Sequence, residues 1–307
     1  MWQILLQNWL RQQAQATIFE AAQQARGAAS QPADDEPTEP PPPADVGFVF
    51  ALPIESGGLV DLLDGALKIQ AAPFTLRQGG FRGRSIVLIE SGVGAAQAAA
   101  ATERLILGHQ PPWIISAGFS GALQPQLGLN DLVLVNQVCG LHGESLSIDV
   151  RISPAEVARI PGLHLGRVVT VDKIVGRRVE KQSLGETSGA LAVDMETLAV
   201  AQVCQQHKVR FLAVRVISDT LEDELSDDIE RLVRQRTFAG QLGAAATAIW
   251  KRPSNLKQMW NLKERAIVAS DRLAKFLAGM IPQLVPTPAK LTPPNVEPGD
   301  STPPAEA

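Results

Sequence analysis

The sequence has few of the residues that build disulfide frameworks and metal centres. It contains two cysteines, Cys139 and Cys204, which do not form a CxxC pair, and four histidines, none of them in an HExxH pattern. Two separated cysteines are too few for a disulfide scaffold and are typical of a reducing compartment. Scattered histidines do not supply the ligand spacing of a zinc site. The sequence therefore predicts no metal, no cofactor and a cytoplasmic location.

An excess of positive charge is also missing. The 28 Lys and Arg residues are outnumbered by 32 Asp and Glu residues, which gives a formal net charge of -4 at pH 7. Nucleic acid is therefore not an expected partner. The first residues, MWQILLQNWLRQQ, lack the basic start and unbroken apolar run of a signal peptide and are too short to span a bilayer. A globular protein that binds a small molecule fits this composition best.

Two proline-rich segments divide the chain. The predicted parts are an amphipathic N-terminal helix (1–29), a Pro-rich acidic linker (30–45), the main domain (46–250), a basic amphipathic helical extension (251–284) and a Pro-rich disordered tail (285–307). The sequence leaves the contacts of the terminal helices open. The N-terminal helix packs on the main domain or a partner, or it lies in a membrane interface. The basic C-terminal segment has a solvated charged face, or it makes weak contact with an anionic membrane surface, which would place the protein at the inner membrane face.

Short apolar runs recur through the main domain and predict buried strands. They read VGFVFAL, SIVLIES, WIISAG, DLVLVNQ, RVVTV, ALAVD and RFLAVRVIS. Three of them are followed by helix-like segments, AAQAAAATERLILGH, TLAVAQVCQQH and DDIERLVRQRTFAGQLGAAATAIW. Alternating strands and helices predict an α/β domain with a parallel or mixed sheet, which binds ligands at the carboxyl ends of its strands.

Polar residues and glycines follow these predicted strands. They are Glu55, the turn Ser91-Gly92-Val93-Gly94, the segment from Ala117 to Gly121, the acids Asp194 and Glu196, and the segment from Arg215 to Asp219. Taken singly, each has a structural explanation, such as a tight turn, a helix cap or an ion pair. Three carboxylates, a guanidinium and two glycine turns at one sheet edge together indicate a binding or catalytic site. For Asp194 we expect local support, through an ion pair or a helix N-cap.

The ordered motifs PIES, SGVG, SAGFSGAL, VDMET and RVISD resemble those of the purine nucleoside phosphorylase and uridine phosphorylase superfamily. Within it, they are most similar to the branch of the 5'-methylthioadenosine/S-adenosylhomocysteine nucleosidases. The resemblance covers roughly residues 46–250. It implies a three-layer α/β/α sandwich around a central mixed β-sheet, and a homodimer. It also implies hydrolysis of the base–ribose bond of a 5'-modified adenosine through a transition state with positive charge on the sugar.

The same resemblance implies three catalytic roles. Asp219 would give a proton to N7 of the departing purine, and partial burial would help it to hold that proton. Glu55 would be the general base that deprotonates the attacking water. Glu196 would bind the ribose hydroxyls, and its negative charge would favour the cationic sugar.

The resemblance further implies a set of substrate-binding residues around these acids. They are Met195 against the ribose face, Ser91 and Arg215 on the nucleophile side, Gly94 and Ser218, Ile174 and Val175 in the base pocket, and Leu52 near the 5' substituent. Ile174 replaces a phenylalanine that stacks on adenine in the nucleosidases. Stacking contributes about 0.5 to 1.5 kcal/mol beyond area burial, so adenine is the expected base but not a fixed one.

Two alternatives to hydrolysis remain at this point. Phosphorylases of the superfamily hold phosphate with arginines in loops that here read LPIESGG and SGVGAAQ, without arginine, which favours water as the nucleophile. A phosphorylase, including one that acts on adenosyl-lipid intermediates, is the first alternative. A non-catalytic nucleoside-binding protein is the second.

Overall fold

A computed structural model describes residues 43–224 and 253–285, and in the second range it describes side chains from residue 264 onward. The predicted N-terminal helix, the linker before residue 43, the helix-like segment at 227–250 and the tail beyond residue 285 lie outside the described residues.

The described chain folds around a mixed sheet of ten strands. They are β1 (Val46–Phe50), β2 (Asp64–Ala71), β3 (Phe74–Phe81), β4 (Arg84–Glu90), β5 (Trp113–Ala122), β6 (Leu132–Cys139), β7 (Ser145–Ser147), β8 (Leu163–Thr170), β9 (Ala192–Asp194) and β10 (Arg210–Asp219). The strand order is β10-β6-β8-β9-β5-β1-β4-β3-β2, with β7 beside β6. Because β10 also pairs with β5, five of the strands close into a ring, and β1, β4, β3 and β2 extend from β5 as an open sheet.

Four strands next to predicted site residues run in one direction, whereas β9, which ends at Asp194, is antiparallel to β5. β1 is parallel to β4 and to β5, and β5 is parallel to β10. Their carboxyl ends therefore meet at one edge of the sheet, where parallel sheets bind ligands. All five residues of β1 are buried, as expected for a strand covered on both faces.

Helices cover both faces of the sheet. The described helices are α1 (Pro53–Val60), α2 (Ala95–His109), α3 (Pro154–Ala158), α4 (Arg178–Ser188), α5 (Thr197–His207) and α6 (Pro253–Leu284). On one face, Leu105 of α2 and Val200 of α5 share an apolar cluster with Val87 of β4. On the other face, Leu59 of α1 and Leu277 of α6 pack in a larger cluster around β1 and β10. A mixed sheet between two helical layers confirms the predicted α/β/α class.

The predicted basic extension forms α6 and packs on the domain. Leu273, Leu277 and Ile281 are fully buried in the larger core cluster, whereas Ile267 is 47% exposed. Residues 269–281 of this helix therefore pack on the main domain. Within the described ranges, no helix is long and apolar enough to cross a bilayer.

Candidate active site

Glu55 lies in the first turn of α1, directly after β1, and its carboxylate reaches across to β5. Oε2 accepts hydrogen bonds from the backbone N–H groups of Ala51 at 2.9 Å and Leu52 at 2.8 Å. Oε1 accepts one from Phe119 at 2.9 Å. Burial raises the pKa of Glu55, although these backbone donors and the charge of Arg215 oppose the rise. A carboxylate held in this way is a stronger base than an exposed one.

Two glycines of the SAGFSGAL motif make room for carboxylates on β5. A Cβ on Gly118 would lie 2.9 Å from Oε1 of Glu55, and a Cβ on Gly121 would lie 2.9 Å from Oδ2 of Asp219. Both distances are shorter than real Cβ contacts, so a larger residue would displace the acid beside it. The motif therefore brings Glu55 and Asp219 against the same short segment of one strand.

Glu196 is half-buried and binds the glycine turn that follows β4. Its Oε1 accepts a hydrogen bond from the backbone N–H of Gly94 at 2.7 Å. Gly94 has φ of 106°, a backbone conformation that favours glycine, and immediately precedes α2. Burial, followed by the charges of Asp194 and Glu55, raises the pKa of Glu196 to about 8. The raised pKa favours the protonated form of this carboxyl.

Asp194 and Arg215 form a buried ion pair next to these acids. Nε of Arg215 donates to Oδ2 of Asp194 at 2.7 Å, and both side chains are almost completely buried. Asp194 also accepts bonds from Thr170 Oγ1 at 2.7 Å and from the backbone N–H of Thr197, the first residue of α5, at 3.1 Å. Ion pairing and support of a helix start are the two roles expected of Asp194, and the structure shows both.

Arg215 was predicted to line the nucleophile side of the sugar, and the structure places its guanidinium inside the protein. Besides Asp194, it donates to Ser116 Oγ at 2.8 Å, to Thr197 Oγ1 at 2.7 Å and to the carbonyl of Val214 at 3.3 Å. Its charge lowers the pKa values of Glu55 and Glu196. Arg215 therefore influences the site through the effect of its charge on these two acids.

The remaining predicted residues fall into two groups. Met195 and Val175 are half-buried and pack on one small apolar cluster around Val169 and Val171. Leu52 and Ile174 are also half-buried. The hydroxyl of Ser91, in contrast, lies within hydrogen-bond distance of two backbone carbonyl oxygens, that of Gly92 at 2.7 Å and that of Phe50 at the end of β1 at 3.2 Å.

Asp219, at the end of β10, is bonded to two side chains. Its Oδ1 accepts a hydrogen bond from Ser218 Oγ at 2.8 Å, and its Oδ2 lies 2.5 Å from Nζ of Lys181 on α4. The lysine is fully buried and was missed by sequence reasoning. It lies in the segment RVEKQSLGETS, which has no apolar stripe and gave no sign of a buried charge.

The described residues contain no group of three His, Cys, Asp or Glu side chains placed to hold a metal ion. Cys139 and Cys204 are both free. The arrangement consists of three carboxyl groups in three different settings at one edge of the sheet. Such a set can move protons at a sugar and at a leaving group.

A comparison with known protein families shows to which family the chain belongs. The sequence profile of the phosphorylase superfamily matches residues 45–249. The chain belongs to the phosphorylase superfamily. The match covers the predicted main domain and the strands that carry all three acids.

Other members of the phosphorylase superfamily are similar along nearly their whole length. A 5'-methylthioadenosine/S-adenosylhomocysteine nucleosidase of Staphylococcus haemolyticus (strain JCSC1435) is 23% identical over 227 residues, which are 66% of this chain and 96% of the relative. The structure of a nucleosidase of that name from S. pneumoniae, with a transition-state inhibitor, has a TM-score of 0.58 at 20% identity and covers 77% of this chain and 97% of its own. A futalosine hydrolase mutant of Helicobacter pylori has a TM-score of 0.57 at 19% identity, covering 78% and 98%. These structures establish the fold.

Proposed function

We propose that this protein is a purine nucleoside N-glycosidase that hydrolyses a 5'-modified adenosine of the methylthioadenosine or S-adenosylhomocysteine type. The observation that carries the proposal is the convergence of three acids. Glu55 and Asp219 lie against Gly118 and Gly121 of one strand, and the charge of Glu55 helps to raise the pKa of Glu196. The similarity to nucleosidases of this specificity supports the substrate class.

The reaction assigns a separate step to each acid. Glu55 takes a proton from water, and the water oxygen bonds to C1' of the ribose. The bond from C1' to the purine breaks, its electron pair goes to the base, and Asp219 gives a proton to N7. Glu196, held by the N–H of Gly94, binds the ribose hydroxyls and keeps the sugar oriented.

Product analysis tests the proposal. The protein is incubated with methylthioadenosine, S-adenosylhomocysteine, adenosine, inosine and futalosine, each with and without phosphate, and both products are identified. Free base and free sugar without phosphate support hydrolysis, and the preferred nucleoside defines the substrate. A sugar 1-phosphate would instead make the protein a phosphorylase, and no turnover of any nucleoside would leave a binding protein.

Replacing the proposed acid is expected to stop base release. We expect Asp219→Asn to lower kcat by about 10²- to 10⁴-fold, because general acid catalysis contributes that much and an amide has no proton to give. Circular dichroism checks that the variant is folded. The matched control is Asp149→Asn, which changes an exposed acid bonded to Arg151. Turnover by Asp219→Asn close to that of the control would refute the assignment.

A further inference from the structure

Lys181 is a fully buried lysine whose ammonium group has three acceptors. Nζ lies 2.5 Å from Oδ2 of Asp219, 2.7 Å from the carbonyl oxygen of Thr220 and 2.9 Å from that of Asp223. Three acceptors match the three protons of an ammonium group. Lysine is seldom fully buried. Here the buried side chain contacts Asp219, the acid proposed to protonate the base.

The ammonium group also fixes the segment that follows Asp219. The two carbonyl oxygens that it binds belong to residues one and four positions after that acid. Asp223 closes the same turn by accepting bonds from the backbone N–H of Thr220 at 2.9 Å and from its hydroxyl at 2.7 Å. Lys181 therefore holds both the carboxyl and the chain that carries it.

We propose that Lys181 is a positioning residue that acts through Asp219 on the departure of the base. Its ammonium group fixes Oδ2 and stabilises the negative charge that Asp219 acquires as its proton passes to N7 of the purine. The inference rests on the proposed function, since it needs a base that leaves with a proton. After the base departs, solvent returns a proton to Asp219, and Lys181 keeps its own protons throughout.

Electrostatics explains why the position of this charge matters. An ammonium group at hydrogen-bond distance interacts more strongly with a carboxylate than with a neutral carboxyl, and the difference is large where water is excluded. The interaction is therefore stronger after proton transfer than before it, as a catalytic contribution requires. The other charges near the pair are the carboxylate of Asp223, bonded to Arg265 of α6, and the exposed ion pair between Arg178 and Glu222. On the sugar side lie Glu55 and Glu196.

The test compares two leaving groups. A purine needs a proton to depart, whereas p-nitrophenolate leaves a ribose as a stable anion. For each protein, kcat/KM is measured with the preferred purine nucleoside and with p-nitrophenyl β-ribofuranoside, and their ratio is the readout. The proteins are the full chain, Lys181→Met, Lys181→Arg, Asp219→Asn and the Lys181→Met/Asp219→Asn double variant.

We expect Lys181→Met to lower the purine to nitrophenyl ratio at least tenfold, mainly through kcat, and Lys181→Arg to restore most of it. The double variant should have the ratio of Asp219→Asn, because the lysine acts only through that acid. Lys181→Gln takes its place if the methionine variant does not fold.

An equal loss on both substrates would show that Lys181 only supports the fold and would overturn the inference. An unchanged ratio would do the same. If the full chain does not cleave p-nitrophenyl β-ribofuranoside, kcat for the purine nucleoside decides alone: it should fall in Lys181→Met and return in Lys181→Arg, and an unchanged kcat in Lys181→Met would overturn the inference. Failure of the full chain to release any purine is a different result, because it refutes the proposed function.

Discussion

At the scale of single residues, the three acids of the site differ in what surrounds each carboxyl. Glu55 is buried and accepts three backbone N–H groups, Glu196 is close to two other acids, and Asp219 faces a buried ammonium. The positions of all three were predictable, because each follows a recognisable apolar strand. Their charge environments were not, since these depend on partners distant in sequence, above all Lys181 for Asp219.

The raised pKa of Glu196 makes stability depend on pH. The folded protein holds this proton up to about pH 8, whereas the unfolded chain releases it near 4.5, so stability should fall as pH rises between these values. The slope is at most about 1.4 kcal/mol per pH unit. We expect Glu196→Gln to flatten the decline of Tm from pH 5 to pH 8, measured by thermal unfolding. Glu186→Gln, at an exposed position, is the control, and an equal flattening there would contradict the assignment.

The buried ion pair between Asp194 and Arg215 is expected to contribute strongly to folding. Asp194→Ala leaves an unpaired guanidinium inside the protein and should lower the free energy of unfolding by about 3–5 kcal/mol. The comparison is Asp149→Ala, which breaks an exposed pair with Arg151 and should cost at most ~1 kcal/mol. Urea denaturation measures both. Similar losses in the two variants would show that the buried pair has no special role.

At the scale of helices and strands, apolar runs predicted seven strands that the structure contains, and helix-like segments predicted α2, α5 and α6. β2 and β3 were missed because they form an outer hairpin, and all residues of β2 except the last are exposed, so no buried run marks it. α4 was missed because its residues are mostly polar, with only Lys181 and Gly185 buried. Contact with the end of β5 holds it in place, and that contact leaves little signal in the sequence.

The packing of α4 against the end of β5 depends on Gly185. A Cβ at this position would lie 2.7 Å from the carbonyl oxygen of Leu123, which is backbone and cannot easily move. We expect Gly185→Ala to lower stability by about 1–3 kcal/mol and, by shifting Lys181, to reduce purine turnover. Gly108→Ala, in α2 with nothing within 4 Å of the added Cβ, should instead stabilise by about 0.4–1 kcal/mol. Chemical denaturation measures the change in stability of each variant. An unchanged stability of Gly185→Ala would contradict this explanation of the packing.

At the scale of the whole molecule, the order of the motifs predicted the α/β/α class and the sheet edge that holds the three acids. It did not predict where the C-terminal helix packs. Ser270 of α6 donates to the carbonyl of Glu55 at 3.2 Å and accepts the N–H of Gly58 at 3.0 Å. A segment predicted as an extension thus binds the helix that carries the proposed base. The homodimer, the cytoplasmic location and membrane contact through the terminal helices stay predictions.

The central claim is that water displaces the purine with help from Asp219. The most direct measurement is product analysis with 5'-methylthioadenosine in phosphate-free buffer, for the full chain and for Asp219→Asn in parallel. We predict equal amounts of adenine and free 5-methylthioribose from the full chain, and a loss of at least a hundredfold in the variant. Release of adenine only when phosphate is added, with formation of the sugar 1-phosphate, would contradict the account.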